Sequence, residues 1–335
     1  MITVPLALFL AALAALAYGG WHYAHAPLEE IGEPAPLVVT PGMSLHAVAR
    51  ELERRQVIPS ARGLVLVARA QGKADTIRSG EYQLRPGMSR QDILRDLVQG
   101  NVLMHRITLI EGWNFAEVRQ ALENHEAVDN TLAELPDDEL MAALGHEGEH
   151  PEGLFFPDTY TFARGTTDRS ILNQAYTRMQ TVLAREWEQR QPDLPIDTPY
   201  EALILASLVE KETGAEHERG QIAGVFVRRL NRGMRLQTDP TAVYGVDDYY
   251  GVVRPHHVRR DHPYNTYTRA GLPPTPIAMP GAAAIHAALN PEPGDSLYFV
   301  SRRDGTHHFS ATLEEHNRAV DRYLRGGRPR PVEPD

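Results

Sequence analysis

The residues best placed to do chemistry are Glu210 and Glu212, at the end of the apolar run Leu203-Ile204-Leu205-Ala206-Ser207-Leu208-Val209-Glu210-Lys211-Glu212-Thr213-Gly214. Burial disfavours the charged form of a carboxyl group, so its pKa rises toward the range a general acid needs near neutral pH. Helical spacing puts Glu210 one turn past Ala206 and two past Leu203, and sets Glu212 over Leu208 and Ile204. Periodicity does not choose between them, and a helix end with solvated glutamates fits the same spacing. Further on, the polar loop Gly233-Met234-Arg235-Leu236-Gln237-Thr238-Asp239-Pro240-Thr241 and the cluster Tyr264-Asn265-Thr266-Tyr267 supply amides, hydroxyls and a third carboxylate. The segment His150-Pro151-Glu152-Gly153-Leu154-Phe155-Phe156-Pro157-Asp158-Thr159-Tyr160 reads as a rigid loop that sets polar groups between aromatic faces. Sugar sites are built this way, although the same phenylalanines would also plug a core.

These groups need elements to carry them. Residues 170–189 show a long amphipathic helical pattern with Ile171, Ala175, Met179 and Val182 on one side. Residues 192–199 read as a linker, 221–231 as a helix stopped by Gly233, and 296–301 as a strand turned by Arg303-Asp304-Gly305-Thr306 toward His307-His308-Phe309-Ser310. Residues 129–150 read as short helices and loops. Upstream, a pattern recurs three times: a β-prone run, a glycine turn, then Ser44, Ser89 or Asn114 as N-cap of a helix with apolar residues four and eight positions on. Such strand–turn–helix units make up small sugar-binding LysM-like modules, and other α/β domains contain them too.

The N-terminal segment has no Asp, Glu, Lys or Arg from Ile2 to Leu28. It is long enough to span a bilayer, with Trp21 and Tyr23 suited to the interface. Ala24-His25-Ala26 has the form of a signal-peptide cleavage site, but the basic leader is missing and Pro27 follows directly, which favours an uncleaved anchor. The remaining chain is soluble in character and long enough for two or three domains. A net charge of −10 argues against nucleic acid as the main partner. The absence of cysteine excludes disulfides, thiol catalysis and cysteine-ligated zinc. The pairs His256-His257 and His307-His308 lack an adjacent carboxylate in a ligand-spaced helical motif, so no metal is implied.

Together the blocks at 205–213, 233–245, 264–280 and 297–317 resemble the signatures of the endolytic murein transglycosylases, the YceG-like family. The apolar N-terminus, the Pro-Gly-Met-Ser segments and residues 151–160 fit that family in order. The resemblance implies an α+β protein of the bacterial cytoplasmic membrane: a transmembrane helix at 1–28, a LysM-like α/β subdomain at 29–125, an extracytoplasmic catalytic domain at 126–325 and a disordered tail at 326–335. It implies cleavage of nascent peptidoglycan glycan strands between MurNAc and GlcNAc, leaving 1,6-anhydroMurNAc ends and limiting elongation, without a cofactor and beside peptidoglycan synthases (penicillin-binding proteins). The family's essential glutamate maps onto Glu210, with Glu212 as the alternative carrier and otherwise a supporting residue. That one group would protonate the glycosidic oxygen and then accept the proton of the C6 hydroxyl that closes the anhydro ring. Gln237, Thr238, Asp239, Tyr244, Asn265 and Tyr267 form the expected supporting shell, with Glu152, Asp158 and Tyr160 as further substrate-binding candidates. Two rival readings are a two-carboxylate muramidase, pairing Glu210 with Asp239, Glu152 or Asp158, and a non-catalytic glycan-binding scaffold.

Overall fold

The computed structural model describes residues 3–29 and 31–326, which divide into two compact units. The first holds the chain up to Arg106 with short returns at 127–129 and 161–166, and the second holds 107–126, 130–160 and 167 onward. Of the expected tail, residues 327–335 lie outside the described residues.

The first unit opens with α1 (Thr3–His25), and Leu6–His25 is apolar and long enough to cross a bilayer. Leu8, Phe9 and Leu16 stand exposed, unlike the side chains of a core helix. The last turn of α1 is held differently. The Arg90 guanidinium covers the Tyr23 ring at 4.2 Å and donates to its carbonyl at 2.9 Å. Ala24 is buried, Pro27 bridges to Ser89, and the Leu28 N–H donates to the Met88 carbonyl at 2.8 Å. Then follow β1 (Ala35–Val39), α2 (Leu45–Arg54), α3 (Ala61–Ala70), β2 (Gly80–Leu84), α4 (Arg90–Gln99) and β3 (Met104–Thr108). β1 and β2 pair antiparallel, Leu37 opposite Tyr82, with two helices between them in sequence. Leu28, Ile31, Leu37, Val48, Leu52, Leu84, Ile93 and Leu97 meet in one core.

The repeated sequence pattern is real local structure. Gly42 and Gly87 turn at φ of +81° and +80°, a conformation that suits glycine. Ser44, Ser89 and Asn114 each accept the backbone N–H three residues on, capping α2, α4 and α5 (Phe115–Glu123). The third repeat gives its helix to the second unit.

After α5 come β4 (Val128–Asp129), α6 (Asp137–Leu144), β5 (Thr159–Ala163), β6 (Thr166–Thr167), α7 (Asp168–Glu188) and α8 (Pro199–Glu212). A 3₁₀ turn at Glu216–Glu218 leads to α9 (Arg219–Asn231), α10 (Asp239–Val243), α11 (Pro255–Arg259), α12 (Ala282–Leu289), β7 (Tyr298–Ser301), β8 (His307–Ser310) and α13 (Leu313–Tyr323). β7 and β8 form the expected hairpin, Phe299 opposite Phe309. Ile171, Ala175, Met179 and Val182 of α7 are buried, as their spacing predicts.

α8 is the centre of this unit, with α7, α9 and α12 packed on it. Thr198 caps it in a box with Glu201, and Pro199 occupies its first turn. Every residue from Ala202 to Val209 is buried. A helix apolar all round has no single core face, which is why periodicity could not choose between Glu210 and Glu212. At ~1.5–3 kcal/mol per fully buried side chain, Leu203, Ile204, Leu205, Leu208 and Val209 contribute on the order of 10 kcal/mol before chain entropy is counted. That is enough to hold two carboxyl groups at the helix end.

Candidate active site

Glu210 and Glu212 occupy the last turn of α8, where the negative end of the helix dipole disfavours carboxylates. Two residues on an α-helix lie about 200° apart around the axis, so the two side chains leave in nearly opposite directions. Lys211 sits between them and donates to the Gly112 carbonyl at 3.1 Å.

Glu210 accepts the Gly281 N–H at 2.9 Å and faces the Arg219 guanidinium at 3.5 Å, with the Glu111 carboxylate 3.9 Å from the same guanidinium. Its side chain is 6% exposed. Burial raises its pKa, while the Gly281 N–H and Arg219 pull it back. It lines neither of the two cavities described below.

Glu212 accepts a short hydrogen bond from the Thr238 hydroxyl. Burial pushes its carboxyl up to about 7, reinforced by Asp239 and opposed by Thr238 and Arg229. The loop presenting Thr238 is strained at Gln237, which stands at φ +53° although it is not glycine. Several contacts hold it there. The Gln237 N–H donates to the Thr266 carbonyl at 3.2 Å and the Thr238 N–H to the Thr266 hydroxyl at 3.2 Å, while Thr241 and Thr266 share a hydrogen bond at 2.7 Å. Arg229, nearly buried, donates to the Leu236 carbonyl at 2.7 Å and the Leu297 carbonyl at 2.6 Å, tying the loop to the β7 hairpin.

Two cavities meet at this glutamate. One of about 750 Å³ is lined by Glu212, Asp239, Lys211, Tyr244, Glu152 and Phe115 among others. The other, of about 610 Å³, is lined by Glu212, Asp239, Arg229, Gln237, Tyr267 and Tyr298 among others. Asp239 accepts the Tyr267 hydroxyl at 2.6 Å. Across the first cavity Glu152, 3% exposed, accepts the Phe115 N–H at 3.1 Å and the Tyr244 hydroxyl at 2.6 Å. Burial pushes its carboxyl up to about 7, against the pull of those two donors. The Tyr244 ring packs on Tyr264 at 4.6 Å.

The fold thus brings Glu152, Glu212, Gln237, Asp239, Tyr244 and Tyr267 to the walls of two cavities that share Glu212 and Asp239, with Thr238 hydrogen-bonded to Glu212. Three other expected residues serve the framework. Asn265 is wholly buried and donates to the carbonyls of His257, Val258 and Arg260. Asp158 pairs with Arg178 at 2.6 Å, and the buried Tyr160 hydroxyl donates to the Phe156 carbonyl at 2.6 Å. Arg229 reads from the sequence only as one of the basic residues that end the 221–231 helix, although its place three and four residues after Phe226 and Val225 puts it on the apolar face of α9. Folding also brings Asp248 to the histidine pair, 3.1 Å from Nε2 of His256 and 3.7 Å from Nε2 of His257. The Arg254 N–H donates to Nδ1 of His257 at 3.1 Å, which leaves the neutral ring's proton on Nε2 and no lone pair there for a metal. The Arg260 guanidinium, 3.6 Å from Asp248, further suits a clamp rather than a cation site.

A carboxyl group pushed up to about 7 and bordering two spaces that aromatic rings help to line is what a general acid working near neutral pH requires. Residues 37–322 match the YceG-like family, and the chain belongs to it. It is 30% identical over 327 residues to an endolytic murein transglycosylase of Bacillus subtilis, covering 91% of this chain and 90% of that protein. An endolytic murein transglycosylase of Streptococcus pneumoniae is 27% identical over 358 residues, covering 94% of this chain and 64% of the pneumococcal protein. A crystal structure of a YceG-like protein from Listeria monocytogenes aligns with a TM-score of 0.55 at 27% identity, covering 86% of this chain and 99% of that one.

Proposed function

We propose that this protein is an endolytic murein transglycosylase, anchored by α1 with its soluble part on the extracytoplasmic side, in which Glu212 is the proton donor. One observation carries the residue assignment: Glu212 is the glutamate of α8 that borders both cavities, with its carboxyl pushed up to about 7. Glu210, the position the family resemblance pointed to, is turned toward the Gly281 N–H and Arg219, and has a framework role. A space on each side of the acid suits a strand that continues in both directions and is cut internally.

The protonated Glu212 donates to the oxygen joining MurNAc C1 to the next GlcNAc. As the C1–O bond breaks, positive charge grows at C1, and the Asp239 carboxyl, which accepts the Tyr267 hydroxyl, stabilises it. The C6 hydroxyl oxygen of the same MurNAc bonds to C1, and its proton returns to the Glu212 carboxylate. The products are a 1,6-anhydro end and a free GlcNAc hydroxyl, with no water consumed. In the first unit, the β1–α2–α3–β2 order and antiparallel pair support a LysM-like role in holding glycan. Peptidoglycan synthases are the partners this activity would serve.

Glu152 gives a second reading some footing, since it shares the first cavity with Glu212 and is also raised to about 7. A muramidase using both groups would add water across the bond. Mass analysis of the products from purified protein and uncrosslinked glycan strands separates the two. Anhydro ends, one water lighter than reducing ends, are the expected result, and reducing ends would overturn it.

A further inference from the structure

Between α10 and α11 the chain makes a projecting turn that the proposed chemistry leaves unused. Tyr249 is 38% exposed, Tyr250 82% and Val252 64%. Gly251, at φ +82°, forms the tip with them. At its base the half-exposed Asp248 lies 3.1 Å from Nε2 of His256, with His257 and Arg260 at 3.7 and 3.6 Å. The Tyr249 ring meets His257 edge-on at 6.1 Å. Both shoulders of the turn, Tyr249 and Val253, line the 750 Å³ cavity that Glu212 borders. A large aromatic side chain left in water on a turn beside a cleft adds nothing to the core and presents an open apolar face.

We propose that Tyr250, supported by Tyr249, is a stacking platform for a pyranose ring of the glycan strand where it leaves this cavity. It is a distal sugar subsite that favours long strands over short ones. The inference rests on the glycan-cleaving reading above. Its chemistry is the match between a phenol face and the apolar C–H face of a sugar ring, with sugar hydroxyls left to water. The neighbouring Asp247 and Asp248 make the same tip a poor fit for an anionic bilayer surface.

The test uses the full chain in detergent, with Tyr250→Ala and Tyr250→Phe beside wild type, on long uncrosslinked strands and on fragments of a few sugars. Tyr250→Ala should raise KM for long strands about fivefold, the size of one lost aromatic face contact. Its kcat should stay within about twofold, the short fragments should be cut as before, and Tyr250→Phe should behave as wild type. Unchanged KM for Tyr250→Ala would overturn the platform, as would equal impairment of Tyr250→Phe. If wild type left the strands uncut, the functional reading itself would fail. The platform would then be judged on strand dissociation constants, where equal affinity of wild type and Tyr250→Ala refutes it.

Discussion

Replacing Glu212 by Gln should make the protein more stable at alkaline pH, because the folded state holds this carboxyl at a cost. In the unfolded chain the group ionises near its ordinary value of 4.5, and in the fold near about 7. Below pH 4.5 both states are protonated and no penalty exists. Between the two values the folded chain binds a proton that the unfolded chain has released, so stability falls as pH rises. Above 7 the whole penalty stands, and at ~1.36 kcal/mol per pH unit it amounts to about 3 kcal/mol. Glutamine keeps the shape, still accepts from Thr238 and never ionises. The variant should therefore exceed wild type by only about 1 kcal/mol at pH 5 and by about 3 kcal/mol at pH 8.5. Urea unfolding at both pH values, followed through the transition of the second unit, measures this. Glu152 pulls in the same direction in both proteins and cancels in the difference. A gap that does not widen between pH 5 and pH 8.5 would refute the reasoning.

The neighbours of Glu212 should move its titration in opposite directions. Thr238→Val removes a donor that holds the pKa down and should carry the alkaline limb of the rate profile up by roughly one pH unit, whereas Asp239→Asn removes a like charge and should carry it down. Limbs moving the same way would mean that another group titrates. Gly153→Ala should destabilise by roughly 2 kcal/mol or more and weaken turnover, since φ is +81° and the new Cβ would meet Pro276 at 2.4 Å, one residue from Glu152. A melting temperature equal to wild type would contradict this. Beginning the chain at residue 34 strips Leu28, Ile31 and the Tyr23–Arg90 contact from the first unit and should cost roughly 3 kcal/mol or more. The same docking predicts that residues 1–28 stay on the mature chain, and a terminus at Pro27 found by sequencing would count against it.

Much of the architecture was legible because it is local. The N-caps at Ser44, Ser89 and Asn114, the buried stripe of α7 and the β7–β8 hairpin all follow from nearest-neighbour chemistry. The 233–241 and 264–267 segments stand out by their resemblance to the YceG-like family, and the fold brings them together through Gln237, Thr238 and Thr241 on Thr266. The roles within that cluster were not legible. Glu210 and Glu212 both end a helix buried all round, and only the direction of each side chain against Gly281 or Thr238 distinguishes them. Asn265 is expected in the supporting shell, but an asparagine among tyrosines gives no sign that three backbone carbonyls converge on its amide. Asp158 and Tyr160 are consumed by partners on α7 and in their own loop. The strain at Gln237 depends on long-range closure against Thr266 that no spacing rule reports.

The central claim is that Glu212, not Glu210, moves the proton. The direct measurement is mass analysis of glycan products from wild type, Glu212→Gln and Glu210→Gln, each first shown to be folded by its cooperative unfolding transition. The account predicts that Glu212→Gln yields no anhydro ends, a loss of at least ~10²-fold in rate, while Glu210→Gln still produces them at reduced rate. Anhydro products persisting in folded Glu212→Gln while Glu210→Gln is inert would contradict it.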